Sequence, residues 1–324
     1  MQNKPAATIP AQKPSRGNSN WLRQGGVAIG CAALFIAFSL MTSNFYQPGN
    51  LLDIMLQSSI NAVIAVGMTL VVMTKGIDLS VGSVVGFSSM IAASLLEKHG
   101  LVVAAGAGLL VGLICGLANG ILIAKLKLPD FIVTLGTMSI YRGAALIYTN
   151  GQPIYSISDT FRAAFAGQLA GVPVPVLIAL AIAVVAYLMV RFTSLGEHIV
   201  AVGGNEEAAR LAGVDVDRVK ISVYALSGVL ASIAGFVLVA RIGAAEPIGG
   251  TGFELQAVGA AVIGGASLFG GEGNPLGSLI GALTLGAMQN GLTLLNVPSF
   301  WQYVATGVVV ILAVLADQMT RKHS

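Results

Sequence analysis

Few side chains in this sequence could do chemistry at a fixed site. The histidines His99, His198 and His323 and the cysteines Cys31 and Cys115 are scattered singly. Metal sites need ligands at short, regular spacings, and these residues offer none. No G-x-x-x-x-G-K-[ST] run is present to cradle a nucleotide phosphate, and no G-x-S-x-G elbow presents a nucleophile. Serines within the apolar runs have no evident histidine partner. The Gly-rich pieces GGTG (249–252) and GGEG (270–273) lack phosphate-loop context, and read as tight turns and close packing. Charge gathers in one place. GGNEEAARLAGVDVDRVK, residues 203–220, has seven charged residues in a chain that is 10% charged and 55% apolar.

The rest of the chain must be the frame that positions this stretch. A soluble domain is about 25% charged. Here the mean hydropathy is +0.84 and there are 41 glycines among 324 residues. Apolar runs repeatedly approach the roughly 20 residues a helix needs to cross a hydrocarbon core. They are rich in Ala, Leu and Gly without period-2 alternation, which excludes a barrel. The fold class is all-α, a polytopic membrane protein. Ten transmembrane helices are expected, near 25–42, 51–74, 79–96, 101–124, 130–149, 174–190, 220–242, 255–271, 276–295 and 300–316. Residues 1–24 read as a disordered tail, 25–317 as one transmembrane domain and 318–324 as a second tail. Lys4, Lys13, Arg16 and Arg23 resemble a signal peptide's n-region, but no convincing cleavage site follows, so the first span is retained. Cys31 and Cys115 read as small packing residues rather than a disulfide.

With the N-terminus inside, thirteen of the 17 Lys and Arg fall in cytoplasmic segments. They are Lys4, Lys13, Arg16, Arg23, Lys75, Lys125, Lys127, Arg191, Arg210, Arg218, Lys220, Arg321 and Lys322. The outer side keeps Lys98, Arg162 and Arg241, and Arg142 lies within the fifth span, able to snorkel or pair. This bias puts both termini and residues 191–219 in the cytoplasm. The longest outer segment, 150–172, contains GQPIYSISDTF and suits either a docking surface or a solvated connector. The acidic residues fall mostly at loops or span ends, Asp53 at an outer end, Asp78 and Glu272 at inner ends. Coupling to an ion gradient would need carboxylates or histidines at mid-membrane, so the driving energy is expected from elsewhere.

Two internal echoes are present. AVGMTLVVMTKGIDLSVGSVVG (65–86) resembles AVGAAVIGGASLFGGEGNPLGSLIG (257–281), an offset of six spans. GLANGILIAKLKLPDF (116–131) resembles AMQNGLTLLNVPSF (287–300), an offset of five, which reverses direction as an inverted repeat would. The offsets disagree, so at most one is a true relic.

Residues 203–220 predict a short helix between the sixth and seventh spans, about eight residues long. Asn205 is its N-cap, and Glu206 and Glu207 complement the positive end of the helix dipole. Ala208, Ala209, Leu211 and Ala212 give it a small apolar face, and Gly213 ends it in the left-handed conformation. A second local pattern is MTKGIDLSVGSVVG (73–86), where Gly76 permits a turn and Asp78 or Ser80 can cap the half-helix that follows.

Both patterns resemble known signatures. EAARLAG, Glu207 to Gly213, matches E-A-A-x-x-x-G, the cytoplasmic signature of permease subunits in ATP-driven importers, though the Ile-x-Leu-Pro of the fuller motif is missing. The resemblance makes Glu206, Glu207, Ala208, Ala209, Arg210 and Gly213 an ATPase coupling helix near 205–213. The turn carrying Gly76, Asp78, Ser80 and Gly82 is similar to the G-I-D-L-S-V-G-S signature of ribose-type monosaccharide permeases of bacterial ABC importers. NAVIAVGMTLV (61–71), IYTNGQP (147–153), ALSGVLASIAG (225–235) and GTGFELQAVGAAVIGGASLFGGEG (250–273) follow in the same order, and the likeness spans 43–317. Gln256 departs from it, where the family has Asp after Glu-Leu. The resemblance implies a homodimeric channel in the bacterial inner membrane, among lipid, with ABC ATPase subunits and a periplasmic sugar-binding protein. It implies no nucleic acid partner and no cofactor on this chain, with ATP–Mg in the ATPase. Ribose or a related monosaccharide is the expected cargo; another sugar, a polyol or an autoinducer is the alternative, and an ion-coupled carrier or a membrane enzyme a more distant one. A path for such cargo needs weak polar contacts, and the candidates are Asn61, Thr69, Asn119, Gln289 and Asn290, each of which could instead bond helix to helix.

Overall fold

Nine of the ten expected apolar segments form helices over nearly their whole length in the computed structural model, which describes residues 19–322, and 255–271 does so only in its first half. In chain order the helices are α1 (Ser19–Met41), α2 (Pro48–Met73), α3 (Val81–Ala124), α4 (Asp130–Thr149), α5 (Asp159–Ala166), α6 (Val174–Phe192), α7 (Ser194–Gly204), α8 (Glu206–Leu211), α9 (Val216–Ile242), α10 (Phe253–Ile263), α11 (Pro275–Leu294) and α12 (Ser299–Lys322). Between α5 and α6 a two-residue ladder pairs β1 (Gln168–Leu169) with β2 (Val172–Pro173), antiparallel. Among the described residues six helices, α2, α3, α4, α6, α9 and α12, are long and apolar enough to cross a membrane. Residues 1–18 of the expected N-terminal tail lie outside the described residues, and 19–24 belong to α1.

Expectation and structure part at three helices. Segments 79–96 and 101–124 lie in one 44-residue helix, broken at Gly100, where φ is 73° and ψ 177°. The segment expected as a span over 255–271 is helical only over the 11 residues of α10, about 16 Å at 1.5 Å per residue and far short of the core thickness. Gly264 closes it and Gly265, at φ 96°, turns the chain away. The charged helix α8 has six residues rather than eight.

Packing explains where the glycines go. From Ser58 to Met73 every residue of α2 is buried, so α2 is the centre of the bundle rather than an amphipathic wall. Against it lie α9 and the second half of α3. Gly108, Gly112, Gly116 and Gly120 form a four-residue repeat on α3 that faces Phe236, Ser232 and Gly228, Tyr224 and Ala225, and Ile221 in turn. A side chain at any of these would meet α9, so the small residues let the two backbones close together.

Two helices start deep inside the bundle. After α2 ends at Met73 the chain turns back, and Asp78 reaches Ser227 of α9, which donates its Oγ to Asp78 Oδ2 at 3.0 Å. Ser227 is eleven residues into α9, about 16 Å from its start, so α3 begins near half-depth. After α9 ends at Ile242, residues 243–252 likewise fold back. Gly249 and Gly250 lie against Gly86 and Gly82, and α10 begins there with Glu254 over Gly82. Asp78 is therefore not at a span end as expected. It is 1% exposed, inside the protein. Irregular backbone at such depth must be satisfied internally, and the Asp78 carboxylate does this for the first turn by accepting from the Ser80 amide at 3.0 Å and hydroxyl at 2.7 Å.

The turn after α3 and the turn after α11 share a backbone path. Each has a left-handed residue two before a proline, Lys127 (φ 55°) before Pro129 and Asn296 (φ 58°) before Pro298. In each, the following amide reaches back to the preceding helix, Leu128 to Leu122 and Val297 to Leu292.

Candidate functional site

α7, α8 and α9 follow one another with almost no linker, each opened by a side-chain cap. Thr193 accepts from Gly196 N at 3.3 Å, Asn205 from Ala208 N at 3.0 Å, and Asp215 from Arg218 N at 3.1 Å. At the far end of α8, Gly213 has φ 88°. Gly213 N donates to Arg210 O and Val214 N to Ala209 O, both at 3.0 Å, a double closure that only a left-handed residue permits. These caps are what hold so short a helix, because nucleation is unfavourable on its own.

The faces of α8 divide sharply. Ala209 is buried against its own chain. Glu206 accepts from Lys220 Nζ at 2.7 Å and from Arg210 at 3.2 Å, and Arg210 lies 3.9 Å from Asp217. The Lys220 hydrogen bond holds the Glu206 carboxyl below its ordinary range, against a smaller opposing effect of burial. Glu207, Ala208, Leu211 and Ala212 face outward, Leu211 85% exposed, and Glu207 has no ion pair among the described residues. So the predicted apolar face is real but only Ala209 is used internally.

This helix is tied to the turns beneath it by backbone. Gly203 of α7, two residues before the α8 cap, lies directly on Met73 O and Gly271 N, which are themselves bonded at 2.9 Å. Lys75 Nζ donates to Gly204 O at 3.3 Å. A cleft of about 260 Å³ opens between α8, the α2–α3 turn and the α3–α4 turn, lined by Lys75, Gly76, Lys127, Asp130, Lys220 and Tyr224. At Gly76 a Cβ would stand 2.6 Å from Tyr224 Oη, a close approach that leaves room only for glycine.

The path candidates divide by how fully they are used. Asn119 is fully buried, donating to Ser80 Oγ at 2.8 Å and accepting from Tyr141 Oη at 3.2 Å. Thr69, also fully buried, bonds Ala65 O at 2.8 Å and Ser278 Oγ at 2.6 Å. Asn290 forms a reciprocal amide pair with Asn50, at 2.8 and 3.0 Å. Asn61 donates to Gln256 Oε1, and its own Oδ1 is buried without a partner among the described residues. Gln289 is half-buried, its amide unpartnered among the described residues. Four of the five, Asn61 included, thus already bond one element to another, while Asn61 Oδ1 and the Gln289 amide have no partner among the described residues.

Sequence reasoning left one polar group unplaced. Arg142 of α4 donates Nε to Ser83 Oγ at 3.2 Å and Nη1 to Ile248 O at 2.9 Å and to Thr251 Oγ1. Its position as a lone cation within a span was legible, but its reach across to 248–251 was not, because GGTG (249–252) reads from sequence only as a tight turn and close packing.

Residues 50–314 match the family described as branched-chain amino acid transport system / permease component. The chain belongs to this family of permease components. It is a transport subunit and not an enzyme. The permease is 45% identical over 303 residues to the ribose import permease protein of Escherichia coli strain K12, covering 92% of this chain and 94% of the relative. It is 40% identical to the ribose import permease protein of Bacillus subtilis strain 168, with 90% and 92% covered. With the D-allose transport system permease protein of E. coli K12 it shares 37% identity, with 96% of each covered. No solved structure matches the permease.

Proposed function

We propose that this permease is the membrane subunit of an ATP-driven importer that passes ribose or a related monosaccharide into the cytoplasm. The substrate class rests on relatives named for ribose and D-allose over nearly their whole length. The ATP-driven mode rests on one observation in the structure: a doubly capped helix whose Glu207, Ala208, Leu211 and Ala212 face nothing in their own chain. The chain is a multi-pass inner-membrane protein with both termini cytoplasmic, α10 and the start of α3 entering only part-way, which puts α8 on the cytoplasmic side. There it seats in an ABC ATPase subunit that holds ATP–Mg, while this chain holds no cofactor. A periplasmic binding protein delivers the sugar at the other side, and two copies of the permease enclose the path among lipid. The matching turns at Lys127 and Asn296 favour the five-span inverted repeat over the six-span echo.

The test is gentle purification of the tagged permease from its host, followed by mass spectrometry of what accompanies it. A co-purifying protein with a Walker A sequence, lost in Glu207→Lys, is the expected result. A permease that comes out alone, with ATPase subunits present in the extract, would refute the ATP-driven reading and favour an ion-coupled carrier.

A further inference from the structure

The segment 243–252 is irregular backbone at depth, yet it is not sealed by its own protomer: Ile248 is 58% exposed, and Thr251 and Leu255 are exposed as well. Backbone of this kind is tolerated within a membrane only where it is buried in protein or lines a water-filled cavity. Beside it, Arg142 is twelve residues into α4 and seven from its end, about 18 Å and 10 Å along the axis. A half-exposed cation at that depth does not face lipid. Three of the five Arg142 donors are engaged by Ser83, Ile248 and Thr251, and Nη2 has no partner among the described residues. Across the turn, Glu254 accepts from Gly252 N at 3.2 Å through Oε1, and this capping contact leaves Oε2 buried against Gly82 with no partner among the described residues. An orphaned buried carboxylate oxygen is expensive. It is tolerated where another conformation supplies a donor.

We propose that the junction of Arg142, Thr251 and Glu254 is a contact point for the transported sugar, Arg142 donating to and Glu254 accepting from neighbouring hydroxyls as the starts of α3 and α10 separate. This rests on the monosaccharide reading of the preceding subsection. The site offers one cation, one anion and a hydroxyl, a set that is balanced in charge and suits a neutral polyol with adjacent hydroxyls. Gly82, Gly86 and Gly250 line the seam between the two helix starts, so backbone meets backbone there with only the Val85 and Glu254 side chains between.

The experiment reconstitutes the permease with its ATPase and binding protein in proteoliposomes and follows uptake of labelled ribose and ATP hydrolysis together. Glu254→Gln keeps the shape and removes the charge. Thr251→Val removes a hydroxyl that bonds Arg142 and Ile248 O, so a thermal unfolding curve of each variant is run beside the uptake assay and only folded variants are scored. Expected is a fall in sugar taken up per ATP of about tenfold in Glu254→Gln, the loss of one hydrogen bond to a charged group, and a smaller fall in Thr251→Val. Binding-protein-stimulated hydrolysis stays near normal in both. Unchanged uptake per ATP in both variants overturns the site. So does a loss of dimer in size-exclusion chromatography with hydrolysis falling in step, which would make the junction a protomer contact. Should the unmodified complex hydrolyse ATP in response to its binding protein yet import no monosaccharide, the substrate reading itself is wrong and the sugar assignment falls with it.

Discussion

Leu211 is the residue at which folding and docking come apart. It is 85% exposed and touches no core cluster of its own chain, so Leu211→Ser removes nothing the permease uses to fold. Exposed substitutions of this kind stay within about 0.5 kcal/mol of the parent. If α8 seats in an ATPase groove, nearly the whole side chain is available for burial there. Full burial of a leucine contributes about 1.5–3 kcal/mol, so the variant should bind the ATPase about 10- to 150-fold more weakly. The assay titrates purified ATPase onto detergent-solubilised permease on a surface, with a thermal unfolding curve of the permease alone beside it. The expected result is a large loss of affinity at an unchanged unfolding midpoint. An affinity within twofold of the parent would refute the docking face, and a midpoint that falls with it would show that Leu211 packs internally after all.

The connection beneath the helix yields two further predictions. Gly203→Ala places a methyl on Met73 O and Gly271 N, and overpacking of this kind costs about 1–3 kcal/mol; a lowered unfolding midpoint is expected, and an unchanged one would deny the close approach. Glu206 gives a pH dependence whose sign is fixed by its depressed pKa: the stabilisation from Lys220 is present above the ordinary glutamate value of about 4.3 and fades as pH falls through it toward the folded value. Thermal midpoints measured down that range should drop more steeply in the parent than in Glu206→Gln, and parallel curves would sink the assignment.

What could be read from sequence was set by local chemistry. Asn205, Thr193 and Asp215 can only bond amides two or three residues on, so the cap of α8 was legible from Asn205 and its stop from Gly213 alone. The helical segments were legible because apolar length is itself the signal. Depth was not. A Gly-Ile-Asp-Leu-Ser turn at a membrane edge and one folded back to half-depth have the same composition, and only the bond from Ser227 to Asp78, 149 residues apart, separates them. The same is true of Asn119, whose partners Ser80 and Tyr141 lie on other elements. Nor could 255–271 be divided by hydropathy, because Gly264 and Gly265 end a helix without lowering the mean.

The two halves of the proposal meet in one continuous path. α8 is joined to α7 through Asn205 alone, and α7 rests on Met73 and Gly271 through Gly203, with no side chain between. Met73 opens the turn to the deep start of α3, and Gly271 belongs to the loop that joins α10 to α11. If an ATPase displaces α8 as proposed, the movement is passed to both half-helices through backbone that cannot absorb it by a rotamer change. Contiguity alone supplies a route; coupling also needs an element with two arrangements. The seam between Gly82 and Gly250 has the marks of one. It is closed here with Glu254 Oε2 unsatisfied, which disfavours the closed state, and it opens toward Arg142, which has donors to spare. If that is the switch, a change at the seam and a change at α8 are not independent. Glu254→Gln alters the seam, so combined with Gly203→Ala it should give a loss of transport that departs from the product of the single losses, as coupled sites do. Independent effects would leave the route intact and place the moving part elsewhere.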